Sequence, residues 1–133
     1  MTLRRVTQSV LELAGHPSAD LSLTLVGKTR MRRLNRTYRQ RDYATDVLAF
    51  PMQDGSRSVS AFLGDVVICL PVALTQASKF GNTSDEEFLR LLIHGTLHLL
   101  GYDHETTEQE AKRMRRKELA ILRRLTPVPR ILA

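Results

Sequence analysis

Only one cysteine, Cys69, stands in the chain, so no intramolecular disulfide can form and stability has to come from a packed core. No run approaches the roughly 20 apolar residues that a membrane-spanning helix needs. The N-terminal MTLRRVTQSVLELAG is amphipathic rather than the apolar stretch of a signal peptide. A soluble, cytoplasmic protein with no membrane partner is the expectation. Aromatic residues make up only 5% of the chain, which argues against a single-strand-binding platform built on base stacking. Acidic residues are the minority charge: 14 Asp and Glu face 20 Lys and Arg, for a net charge of +6.

What is present suffices for one core. With 133 residues and 42% hydrophobic content, a single domain spanning 1–133 is expected. Arginine supplies most of the positive charge, and its planar fork suits phosphate because it can give two parallel hydrogen bonds to one group. The same charge would also serve as a solubilising surface or attract anionic lipid, so charge alone does not choose nucleic acid.

Apolar residues at Leu3, Val6, Val10, Leu11 and Ala14 recur at helical spacing and predict a first helix from Leu3 to Leu13, stopped by Gly15, His16 and Pro17. His16 reads as a solvated loop residue. Leu21, Leu23 and Leu25 alternate with polar residues, predicting a strand closed by Gly27. Met31, Leu34 and Tyr38 then mark the apolar stripe of an arginine-rich helix from Thr29 to Arg39. A polar loop to Asp46 delivers the chain into a short buried strand, Val47 to Phe50, ended by Pro51. Asp-Gly and three serines between Gln53 and Ser60 signal a turn, with a strand from Ala61 to Cys69 behind it. Leu70 and Pro71 open a helix that Gly81 and Asn82 end.

Ser84 and Glu87 fit a capping box at the start of a helix running to Leu100, whose leucines and Phe88 cover most of its circumference. Such a helix is expected to be buried. Thr107 and Glu110 suggest a second capping box. Ala111, Met114, Glu118, Ile121, Leu122 and Leu125 define one side of the final helix that follows. Its other side is basic, a solvated face or a nucleic-acid contact.

Three of the four histidines fall within His94-Gly-Thr-Leu-His98-Leu-Leu-Gly101-Tyr102-Asp103-His104. Residues four apart share one helix face with Cβ atoms about 6 Å apart, so both imidazoles can reach one ion. Gly101 can take the left-handed conformation that ends a helix and lets the chain return His104 to the pair. Three imidazoles with no cysteine nearby favour zinc, and the missing fourth protein ligand favours a catalytic over a closed structural site. Asp103 is a possible fourth ligand or an orienting group, or simply a turn residue. Zinc proteases of the HExxHxxGxxH type share these offsets, but their general-base glutamate is replaced here by Gly95, which demotes peptide hydrolysis to a runner-up. Glu105 is not placed to substitute for it. Phosphodiester cleavage fits what remains, with a metal to polarise the phosphate and an arginine to hold it.

The eleven-residue stretch resembles the HGxLHLxGYDH signature of the YbeY family, bacterial zinc-dependent endoribonucleases involved in ribosomal RNA maturation. The similarity extends through Leu34-Asn35-Arg36-Thr37-Tyr38-Arg39, Thr45-Asp46-Val47-Leu48-Ala49-Phe50-Pro51 and Gly64-Asp65-Val66-Val67-Ile68. It implies an α+β domain whose small mixed sheet packs with helices around a buried central helix bearing the histidine pair. One zinc ion would be held by His94, His98 and His104, and single-stranded RNA would be cleaved in rRNA maturation and ribosome quality control. His94 and Arg39 are the expected catalytic residues, although without the resemblance Arg39 is one loop arginine among several. Ribosomal RNA precursors and small-subunit proteins are the implied partners, with no DNA specificity. The alternative reading is a zinc-stabilised ribosome-binding assembly factor with little turnover. Ala49 and Cys69 stand where members often carry serine, and the basic last helix departs from the acidic ones associated with the family.

Overall fold

A computed structural model describes residues 1–52 and 61–132, so the turn expected over Gln53 to Ser60 lies outside the described residues. Helix α1 (Leu3–Leu13) leads into strand β1 (Asp20–Val26), helix α2 (Lys28–Arg39) and strand β2 (Val47–Pro51). Strand β3 (Phe62–Cys69) then passes directly into helix α3 (Leu70–Phe80), followed by α4 (Ser84–Leu99) and α5 (Glu108–Arg124). The sheet order is β1-β3-β2, with β1 parallel and β2 antiparallel to the central β3. This is the expected α+β architecture with a small mixed sheet. Among the described residues, no helix is long and apolar enough to cross a membrane.

Period-two alternation sends the strand residues to two cores. Leu21, Ala49, Val66 and Ile68 pack against α4 and residues from α1 and α5, whereas Val26, Leu48, Val67 and Cys69 pack with Met31 of α2. Helix α4 is therefore enclosed: Phe88, Leu89, Leu91, Leu92, Ile93 and Leu97 are all buried. It approaches β3 closely because position 95 has no side chain. A Cβ built on Gly95 would lie 2.7 Å from Val66 Cγ1. Val66 thus occupies the space that the glutamate of a zinc protease would need.

Three local expectations shift. The cap of α4 is Thr83, one residue before Ser84: the Thr83 hydroxyl accepts from the Glu86 N–H, and the Glu86 carboxylate accepts from the Thr83 N–H. Glu87 is unavailable for that task because it is buried and accepts two hydrogen bonds from Arg90. At α5 only half of the second box forms. Thr107 accepts from the Glu110 N–H, but the Glu110 carboxylate lies 3.5 Å from Arg113 instead of reaching back. On α2, Tyr38 is exposed and Asn35 is the buried residue beside Met31, donating through Nδ2 to the Tyr43 carbonyl at 2.9 Å.

The Gly95 contact makes a stability prediction. Val66 is stiff, so overpacking by Gly95→Ala costs about 1–3 kcal/mol, offset by up to about 1 kcal/mol of helix propensity. Urea unfolding should show a net loss of about 1 kcal/mol. In the Gly95→Ala background, Val66→Ala should cost less than in the wild type, a non-additivity expected of touching residues.

Candidate metal centre and cleft

The last two turns of α4 carry His94 and His98 on one face. Beyond it the chain reverses at Gly101, which has φ +96°, as the N–H groups of Gly101 and Tyr102 donate to the carbonyls of His98 and Leu97. His104 returns to the pair. His98 Nε2 lies 3.1 Å from His94 Nε2 and 3.1 Å from His104 Nδ1, and one nitrogen from each ring falls within 4.8 Å of the others. These three nitrogens are placed to hold one metal ion.

The donor chemistry fits such an ion. A neutral imidazole has one N–H, and that of His94 is directed at Glu118: Nδ1 lies 2.5 Å from the carboxylate Oε1, leaving Nε2 as a lone pair. A single N–H on His98 Nε2 could satisfy only one of its two nitrogen neighbours, whereas a cation satisfies all three. Around zinc at roughly 2.1 Å, tetrahedral nitrogens stand about 3.4 Å apart, close to the two 3.1 Å separations from His98. Burial first, then the adjacent His94 and His104, lowers the pKa of His98 and favours its neutral, ligating form.

Glu118 is the residue the sequence reading did not single out for the site. It comes from α5, 24 positions after His94, and its one signal was a carboxylate interrupting the apolar stripe of Met114 and Ile121. Behind it lies a charged chain. Arg90 forms a two-pronged pair with buried Glu87, which raises its pKa foremost by hydrogen bonding, with Asp46 and Glu118 adding to the attraction. The Gln76 amide sits between two carboxylates, so its nitrogen is assigned to the inward side, where it donates to Glu87 at 2.9 Å and to Asp46 at 3.2 Å. Asp46 in turn accepts from the Val47 N–H at 2.7 Å and thereby fixes the start of β2.

A cleft of about 670 Å³ is lined by the three histidines together with Arg39, Arg41 and Asp46. Arg39 donates through Nη2 to the Ala49 carbonyl at 2.7 Å, and its guanidinium carbon lies 5.5 Å from the centroid of the Phe50 ring. Because the anchor at residue 49 is main chain, alanine in place of serine leaves it intact. Arg41 also lines the cleft, and its pKa is raised by Tyr43, foremost through a hydrogen bond, and by the Glu105 carboxylate.

The remaining sequence candidates separate clearly. Asp103 lines the cleft, but its Oδ1 accepts from the Glu105 N–H at 2.8 Å and so braces the turn. Glu105 approaches His104 on the outer nitrogen, Nε2, at 3.6 Å. His16 stays in an exposed loop. Cys69 is buried at the N-cap of α3, where it makes no side-chain capping bond, so serine's hydroxyl would add a cap there and not a cleft contact.

If Glu118 orients His94, Glu118→Ala should weaken zinc binding tenfold to a hundredfold, the range found when such supporting carboxylates are removed. Competition with a chromogenic chelator measures this directly. Glu118→Gln should retain an acceptor and fall between the two. Equal affinity in all three proteins would remove the orienting role.

The family model for "Endoribonuclease YbeY" matches residues 1–126. A protein of that name from Sulfurihydrogenibium sp. is 46% identical over 112 residues, 84% of this chain and 74% of its own length. Another from Pelotomaculum thermopropionicum is 45% identical over 128 residues, covering 92% of this chain and 84% of its own. Among solved structures, the solution structure of TM1509 from Thermotoga maritima superposes with a TM-score of 0.62 at 26% identity, covering 96% of this chain and 85% of that one. By family model and by identity, the chain belongs to the endoribonuclease YbeY family.

Proposed function

We propose that the chain is a single-domain, zinc-dependent endoribonuclease over residues 1–133, cleaving phosphodiester bonds of single-stranded RNA during ribosomal RNA maturation and quality control. The observation that carries this reading is the meeting of two chemistries in one cleft: three converging imidazole nitrogens and an arginine anchored by a backbone carbonyl. Family membership supplies the activity class.

His94, His98 and His104 would hold the ion, which when bound supplies Lewis acidity toward a phosphate oxygen or a coordinated water. The chain's own residues do the positioning. Glu118 keeps the His94 proton on Nδ1, so that Nε2 faces the cleft with its lone pair. Arg39 has one nitrogen committed to Ala49 and the Phe50 ring alongside, leaving its other N–H groups to bind the scissile phosphate as charge develops. Fixing that guanidinium in advance reduces the reorganisation required on reaching the transition state. Arg41 adds a second positive charge to the cleft.

Purified protein incubated with single-stranded and duplex RNA tests the proposal. Cleavage should favour single strands and stop with chelator. His98→Ala should be inactive, and Arg39→Ala should lose about a hundredfold to a thousandfold in kcat, the scale for removing a preorganised donor to developing charge. Full activity in His98→Ala would refute the metal-dependent reading. Ribosome association that persists without any cleavage would instead favour the assembly-factor alternative.

A further inference from the structure

Helix α5 turns Met114, Glu118 and Ile121 inward, toward the core and His94, with Leu122 partly buried beside them, and exposes much of its opposite side. At one boundary, the Arg113 guanidinium carbon stands 4.6 Å from the centroid of the Tyr102 ring, and Tyr102 lines the cleft. Residues four and eleven positions later repeat nearly the same helical direction, placing Lys117 and Arg124 in line with Arg113. Lys117 and Arg124 form no ion pair among the described residues, and Arg113 has only an exposed 3.5 Å contact with Glu110. Arg116 and Arg123 stand exposed beside this row. A positive row therefore begins at the rim of the cleft and follows α5 away from it.

We propose that this row is a track for the phosphate backbone of the RNA strand leaving the cleft past Tyr102, with Arg113, Lys117 and Arg124 as its contacts. The inference rests on the nuclease reading above and extends it from the scissile bond to the flanking strand. The row spans about 16 Å at 1.5 Å per residue, room for about five nucleotides at 3.4 Å each in a stacked strand. Arginine stacked on Tyr102 presents its planar edge to phosphate, while the face of the guanidinium remains on the ring. The inward side of the same helix holds His94 through Glu118, so the track and the candidate metal centre share one rigid element.

The test compares the wild-type chain with an Arg113→Gln, Lys117→Gln, Arg124→Gln variant. Binding is read by anisotropy with a 2′-O-methyl RNA of about 20 nucleotides, checked on a gel to be intact after the measurement, at several salt concentrations, and turnover with both a trinucleotide and a 20-mer RNA. Three phosphate contacts on a single strand contribute about 2 to the slope of log affinity against log salt. The variant should therefore have a slope about 2 shallower, tenfold to hundredfold weaker binding at low salt, and a raised KM on the 20-mer with trinucleotide turnover unchanged. An Arg4→Gln, Arg5→Gln, Arg30→Gln protein, which loses the same three charges from exposed positions on α1 and α2, controls for net charge. Unchanged 20-mer binding in the triple variant, an equal loss in the control, or no RNA binding by the wild type would each overturn the track. Absence of cleavage in every form would overturn the nuclease reading instead, while the binding comparison still decides the track.

Discussion

A helix enclosed over most of its circumference has to find partners for the polar groups it buries, because water is not available there to supply them. Helix α4 is such a helix, and its solutions organise the rest of the molecule. Thr96 returns its hydroxyl to the Leu92 carbonyl at 2.7 Å. Glu87 takes Arg90 and Gln76, and through Gln76 it reaches Asp46 at the start of β2. His94 takes Glu118 from α5. The polar residues of one helix thus tie together a strand, a neighbouring helix and the last helix of the fold. What remains after these pairings is the set of nitrogens facing the cleft.

How much of this could be read beforehand depended on whether the controlling interaction was local. The histidine spacing, the reversal at Gly101 and the alternation of Leu21, Leu23 and Leu25 all act within a few residues, and all were legible. The cap of α4 was ambiguous because Thr83 and Ser84 each precede a glutamate by three, and only the burial of Glu87 separates them. Glu118 and Asn35 depended on tertiary placement. A carboxylate in an apolar stripe, and an asparagine between two expected core residues, acquire meaning only when α5 meets α4 and when the 40s loop folds over α2.

Gly95 shows how one residue can carry two constraints that point the same way. Chemically, it lacks the carboxylate of a peptide hydrolase. Sterically, Val66 fills the space where any side chain would begin. Recovering the protease chemistry would need a change in the sheet as well as in the helix, so the two activities are separated by packing as well as by a functional group.

Arg39 is held by an oxygen that every amino acid possesses. Position 49 can therefore drift in sequence without releasing the arginine, provided the strand keeps its register with β3 and the new side chain fits the core. The information that aims Arg39 is stored in the hydrogen-bond ladder between β2 and β3, where a slip by one residue would do more harm than many substitutions.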